Sequence, residues 1–334
     1  MSAELKHKQT TAPAVQVRGL SVVYATNQGD LPAVRQVDLD IEARKITGII
    51  GESGSGKSTL VMAMMNAVGK PGQIVSGSVE VLGVGDMLSI DRERQRKARG
   101  KELGLVFQAA QNSLNPLRRI GHQVLDLGRS HEVKDLRDLL RKAKDLLARL
   151  GMDADRVLAS YQHELSGGMR QRVGIMFALI LDAKIVILDE ATTALDMLSQ
   201  ASVLEIVREL HKERGLTTIL VTHDMGVVAD MADRVVVMYG GEIVEEGPSE
   251  FVLSHPAHPY TQGLVRAIPR ISGDIDRAVP LQGAPADLKT YLEPGCPFYQ
   301  RCSVAMPKCQ ESRPTSLAVA QDRKVACFKV TDHD

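Results

Sequence analysis

The sequence predicts an α/β fold built around a parallel sheet, and three stretches carry that prediction. Gly51-Glu-Ser-Gly-Ser-Gly-Lys-Ser58 fits the pattern G-x-x-x-x-G-K-[ST]. It lies between a short β-branched apolar run, Ile46 to Ile50, and a breaker-free helical stretch, Thr59 to Met65. Lys184 to Glu190 is an apolar run that ends in two carboxylates, Asp189 and Glu190. Thr217 to Thr222 is another, followed at once by His223 and Asp224. Strands buried on both faces of a parallel sheet read this way, and their carboxyl ends carry the chemistry.

The first stretch predicts phosphate binding. Its glycines let backbone N–H groups of Ser53, Gly54, Ser55 and Gly56 curl inward, and the helix that opens toward Thr59 adds partial positive charge. Lys57 would reach the β- and γ-phosphates, and the Ser58 hydroxyl would take a place on Mg²⁺. A chance glycine-rich turn would have no reason to sit between a strand and a helix. Asp189, at a strand end, fits the metal-binding carboxylate of such sites, and Glu190 is placed to polarise a water for in-line attack. A surface carboxylate pair is the plainer alternative, and the wholly apolar strand before it argues against that. Ser166-Gly167-Gly168 opens a further helix and makes a second anion-binding end. One nucleotide does not need both ends on one chain; two copies facing head to tail would use both.

The 334 residues leave room for one large domain and a smaller one. Lys and Arg number 41, as do Asp and Glu, and only 3% of residues are aromatic, so a nucleic-acid binder is disfavoured. The longest apolar run, Val173 to Leu181, is far short of the ~20 residues that span a bilayer. The polar start at Met1 lacks a signal-peptide core, so a cytoplasmic chain with reduced or metal-bound cysteines is expected.

In order, residues 1–13 read as a flexible tail, Val15 to Tyr24 as an edge strand, and Val34 to Ile41 and Ser76 to Leu82 as further strands. Arg92 to Lys101 reads as a solvated helix, Gly104 to Gln108 as a buried strand, and residues 109–119 as loop. His131 to Leu150 carries leucines at helical spacing and stops at Gly151. Val203 to Leu210 is helical, and Arg234 to Tyr239 pairs with Glu242 to Glu246 through a Gly240-Gly241 turn. Nine of the 14 prolines and all four cysteines lie beyond residue 250, which marks a domain boundary.

With these motifs in order, residues 15 to about 250 resemble the ATP-binding subunit of an ABC transporter. The resemblance implies a P-loop NTPase core with an antiparallel β subdomain and a helical subdomain over about 110–180. It covers an ATP-binding domain at 14–250 and leaves a Cys/Pro-rich extension at 251–334. It implies that Gly51 to Ser58 is the Walker A loop, Gln108 the Q-loop glutamine on Mg²⁺, and Leu165 to Met169 the signature. It likewise implies Asp189 as the Walker B carboxylate, Glu190 as the catalytic base, Ala194-Leu-Asp196 as the D-loop and His223 as the γ-phosphate switch. Tyr24 matches the adenine-stacking aromatic; by spacing alone it is equally a half-buried strand tyrosine. Ser113-Leu-Asn-Pro116, Met169 and His255-Pro-Ala-His-Pro-Tyr-Thr261 narrow the resemblance to the dipeptide/oligopeptide importers. His255 and His258 between prolines read as a turn that docks the tail, and His163 as structural.

That group implies ATP and Mg²⁺ as cofactors and uptake of di- or oligopeptides, with nickel, glutathione or oligosaccharide as alternative solutes. It implies a second ATPase subunit forming a heterodimer, two transmembrane permeases and an extracytoplasmic binding protein. The place is the cytoplasmic face of the inner membrane, as a peripheral protein. A soluble non-transport ABC ATPase is the rival reading; such proteins carry two cassettes or long insertions. Ala191 and Ala109-Ala110 depart from the family pattern without removing a catalytic group.

Cys296, Cys302, Cys309 and Cys327 are spaced C-x5-C-x6-C-x17-C. Structural zinc sites usually hold a close C-x₂₋₄-C pair, and none is present. The wide spacing suits a [4Fe–4S] cluster, with zinc or unliganded thiols as alternatives. The same cysteine pattern in the peptide-importer group adds to that expectation. A third reading, an iron–sulfur sensor on a borrowed nucleotide fold, is opposed by the intact hydrolytic residues.

Overall fold

The computed structural model describes residues 12–27, 29–107, 114–191, 196–267, 281, 283, 293–320 and 322–331. Two sheets organise them. The larger is built on five parallel strands: β3 (Ile46–Ile50), β6 (Leu103–Val106), β7 (Ile185–Asp189), β8 (Thr217–Val221) and β9 (Arg234–Tyr239). Their order is β9-β3-β8-β7-β6, so the phosphate-loop strand lies between β9 and β8. β3, β7 and β8 are buried at every position, which is why they read as unbroken apolar runs. Core side chains gather in two clusters; Ile50, Leu188 and Leu220 belong to one, Ile49, Ile187 and Ile219 to the other. Such alternation along each strand places one cluster on each face of the sheet.

The smaller sheet is antiparallel. β1 (Val15–Thr26) lies between β2 (Gly29–Ile41) and β4 (Gly72–Val81), with the short β5 (Gly85–Asp86) outside β4. β1 is therefore an inner strand and not the edge strand its sequence suggests. Its register shifts against both partners free Gly19 and let Ser76 and Asp38 bond there. These irregularities blur the alternation from which the sequence is read.

α1 (Lys57–Met64) follows the phosphate loop, and α2 (Arg92–Lys101) is the charged surface helix that the sequence predicts, kinked at Arg99 and Gly100. The helix expected over His131 to Leu150 is two helices. α3 (Ile120–Ser130) closes at His131, Glu132 turns left-handed, and α4 (Leu136–Arg149) begins only after Asp135. The Asp135 carboxylate accepts the N–H groups of Arg137 and Asp138, a cap that sets the start despite Val133. α5 (Ala154–Ala159) packs on both, and α6 (Gly167–Leu179) leads back to β7. α7 (Met197–Arg214) and α8 (Met225–Met231) complete the domain; α7 is far longer than the Val203 to Leu210 stretch that predicts it.

Beyond residue 241 the sheet continues. β10 (Glu242–Pro248) pairs antiparallel with β9, and the hairpin of β11 (Leu317–Val319) and β12 (Arg323–Val325) adds two strands at that edge. α9 (Ser249–Ser254) and α10 (Pro259–Arg266) lie between. Glu245 is fully buried, and its carboxylate accepts the backbone N–H of Ala257 and of His258 at 2.9 Å each. His258 then caps α10 by accepting from Tyr260 N–H, the docking turn that the prolines predict. Among the described residues, no helix is long and apolar enough to cross a membrane.

Candidate nucleotide site

The loop from Gly51 to Gly56 runs from the carboxyl end of β3 into α1. Gly56 caps that helix with φ 100°, and a Cβ there would stand 2.3 Å from the Ala33 carbonyl oxygen. Only glycine fits so close an approach. Lys57 is 5% exposed and its Nζ donates to the carbonyls of Gly51 (2.8 Å) and Glu52 (2.9 Å). Burial lowers its pKa, and the carboxylates of Glu190, Asp189 and Glu52 oppose that shift. The ammonium thus sits over the loop with three acidic groups around it.

Ser58 Oγ donates to Asp189 Oδ1 at 3.0 Å, which brings the two predicted metal ligands together. Asp189 is 4% exposed, and burial raises its pKa, with the Ser58 hydrogen bond opposing. A buried carboxylate beside a hydroxyl at a strand end is an oxygen donor set that suits Mg²⁺. Glu190 follows in the left-handed region at φ 48° while its N–H stays bonded to Val221 O. A non-glycine residue held there is a strained position of the kind found at functional sites. His223 Nδ1 stands 3.6 Å from Glu190 Oε1, with His223 largely exposed and Glu190 mostly covered.

Tyr24 is half-buried, and its hydroxyl lies 3.4 Å from Thr59 Oγ1, so the ring is at the border of the loop's helix. Both sequence readings of Tyr24 are compatible with that position. Ser53, Gly54 and Ser55 complete the loop, with Ser55 N–H bonded to Glu52 O. Ser166, Gly167 and Gly168 open α6, where Ser166 Oγ accepts from Met169 N–H at 3.3 Å. Asp196 caps α7 through Ser199. Gln108, Ala109, Ala110, Ser113, Ala194 and Leu195 lie outside the described residues.

None of the four cysteines is in a disulfide, and all four are half-buried. All four line one cavity, together with His258 and Phe298. Burial pushes the Cys296 thiol up to about 12 and raises Cys302 and Cys327. Among the described residues, no three His, Cys, Asp or Glu side chains are close enough to share one metal ion.

Two residues that sequence reasoning missed reach the phosphate loop from the extension. Tyr260 Oη accepts the Glu52 N–H at 2.8 Å, and the Arg301 guanidinium grips the Glu52 carboxylate. Tyr260 belongs to the His255–Thr261 stretch noted in the sequence; nothing in the sequence singles out Arg301.

Residues 34–193 match the family described as ABC transporter, and residues 244–309 match the oligopeptide/dipeptide transporter C-terminal region. The chain is 40% identical over 316 residues to the dipeptide transport ATP-binding protein DppD of Caldanaerobacter subterraneus subsp. tengcongensis, covering 94% of this chain and 96% of that one. It is 38% identical over 316 residues to the oligopeptide transport ATP-binding protein AppD of Bacillus subtilis, with the same coverage. Among solved structures, the dimeric ATP-binding cassette MJ0796 bound to ADP and Pi matches at TM-score 0.63 and 25% identity, covering 70% of this chain and 98% of that one. The chain belongs to the ATP-binding proteins of ABC transporters, in the group that carries the oligopeptide/dipeptide transporter C-terminal region.

Proposed function

We propose that this chain hydrolyses ATP to power uptake of di- or oligopeptides through an ABC importer. The observation that carries the proposal is one chain joining a phosphate loop tied to Asp189 by Ser58 with the C-terminal region at residues 244–309. Its relatives are named for dipeptide and oligopeptide transport.

In this reading Lys57 leaves the loop carbonyls for the β- and γ-phosphates, and N–H groups from Ser53 to Thr59 cradle the phosphate oxygens. Ser58 and Asp189, joined by Gln108, hold Mg²⁺, which when bound neutralises charge on the phosphate oxygens. Glu190 accepts a proton from the attacking water, and His223 holds the γ-phosphate end of the site. Tyr24 stacks on the adenine. Ser166, Gly167 and Gly168 close over the nucleotide of a second ATPase subunit.

The division follows the same lines: an ATP-binding domain at 14–250, with helices over about 110–180, and an extension at 251–334. The partners are a second, different ATPase, two permeases and an extracytoplasmic binding protein. The chain works at the cytoplasmic face of the membrane. Phosphate release by the full chain, abolished in Glu190→Gln while ATP binding persists, tests the ATPase. Peptide-dependent turnover by the complex assembled with its permeases tests the solute; turnover that no peptide stimulates would overturn the peptide assignment.

We propose that the four cysteines hold a [4Fe–4S] cluster, with zinc or unliganded thiols as the alternatives. A cubane binds each thiolate to a different iron, so its sulfurs stand farther apart than four ligands of a single ion. All four thiols line one cavity, which supports this reading. Iron, sulfide and zinc analysis after anaerobic purification, with Cys302→Ser alongside, tests it. About four irons and four sulfides, lost in the variant, are expected; one zinc would overturn it.

A further inference from the structure

Glu52 is the second residue of the phosphate loop, and its carboxylate is one of the three acidic groups around Lys57. Its carboxylate is held from the extension. Arg301 Nη1 lies 2.6 Å from Glu52 Oε2 and Nη2 lies 3.0 Å from Oε1, a fork-to-fork pair 249 residues apart in sequence. The Arg301 side chain is 7% exposed and that of Glu52 22%, so the pair is shielded from solvent. The guanidinium also lies over the rings of Tyr239 and Phe298. The same loop residue is held a second time, because its backbone N–H donates to Tyr260 Oη, and Tyr260 is fully buried against Tyr239 and Phe298.

These contacts bear on phosphate binding through charge. An unpaired carboxylate at the mouth of a loop that receives a polyphosphate repels it, and the repulsion is strong where solvent is excluded. Paired bidentately, Glu52 presents no net charge, and the loop backbone is fixed at its start. We infer that Arg301 and Tyr260 are positioning residues for nucleotide binding: the C-terminal extension neutralises Glu52 and sets the entry of the phosphate loop. The inference rests on reading Gly51 to Ser58 as the ATP site. It gives the extension a role at that site that its cysteines do not require.

The test uses the full chain and Mg·ATPγS binding by titration calorimetry, with KM and kcat for ATP measured alongside. Arg301→Met keeps the packing on Tyr239 and removes the charge. It should weaken nucleotide binding and raise KM about five- to tenfold with kcat within about twofold of wild type. Adding Glu52→Gln should bring binding back to within about twofold of wild type, because the repelling charge is gone. Glu52→Gln alone should bind at least as well as wild type, and it is readable even if Arg301→Met fails to fold. Unchanged binding in Arg301→Met, no recovery in the double variant, or weakened binding in Glu52→Gln would each overturn the inference. Failure of the wild-type chain to bind would overturn the ATP reading itself, and the inference with it.

Discussion

Ser58 Oγ donates a 3.0 Å hydrogen bond to Asp189 Oδ1, closing a gap of 131 residues and joining the start of α1 to the end of β7. The parallel order β3-β8-β7 makes this possible, since each strand delivers its last residue to the same edge. Asp189→Asn keeps an acceptor for Ser58 and removes the charge that a cation needs. ATP turnover should fall by about two orders of magnitude with the fold intact. Phosphate release measured across a Mg²⁺ titration checks this; turnover that still rises normally with Mg²⁺ would remove Asp189 from the metal site.

Glu190 and His223 form a second pair, 3.6 Å apart, at the ends of β7 and β8. Glu190 holds a left-handed backbone, a conformation worth keeping only if its carboxylate must face the site. Glu190→Gln is close to isosteric and cannot take a proton from water. We expect kcat to fall roughly 10²- to 10⁴-fold with nucleotide affinity retained. Single-turnover hydrolysis and a binding titration separate the two effects. A variant that hydrolyses ATP at the wild-type rate would assign the base elsewhere.

The helix that carries Ser166 is pressed onto the sheet at Gly104. A Cβ on that residue of β6 would lie 2.2 Å from the Ala178 carbonyl oxygen in α6. Backbone cannot yield as a side chain can, so Gly104→Ala must push α6 away from the sheet. A loss of about 1–3 kcal/mol is expected, as for other overpacked cores. Urea unfolding monitored by circular dichroism gives the value; an unchanged midpoint would show that α6 moves freely.

Asp189, Glu190 and His223 are legible in the sequence because each lies where a buried strand ends, and burial leaves an apolar run that stops abruptly at the functional side chain; Lys57 is marked instead by the glycine-rich pattern between β3 and α1. Strand order is not written there: β1 looks like an edge because its register shifts interrupt its alternation, yet both its sides are paired. The α3–α4 break is a local contest, in which the Asp135 cap and left-handed Glu132 overrule continued helical spacing. Arg301 is illegible for a different reason. Its meaning lies in Glu52, 249 residues away, and no periodicity records a partner that distant.

Two buried histidines set the acid limit of the domain. His211, 9% exposed, bonds through Nδ1 to Thr218 Oγ1 at 3.0 Å, and His131 is 5% exposed. Burial holds both below the ordinary histidine value; Lys212 and Lys45 add to the effect at His211 and Asp233 opposes it, while Arg96 and Lys101 add to it at His131. The folded chain therefore keeps them neutral at a pH where the unfolded chain, with a pKa of about 6.5, has begun to take up protons. Their contribution is complete above that value and is lost as pH falls below it, with a slope of up to about 1.4 kcal/mol per pH unit for each histidine. The urea midpoint should fall between pH 7.5 and pH 5.5. His211→Asn, which offers Thr218 a polar partner and does not titrate, should show a smaller fall. An equal fall in the variant would place the acid sensitivity on other groups.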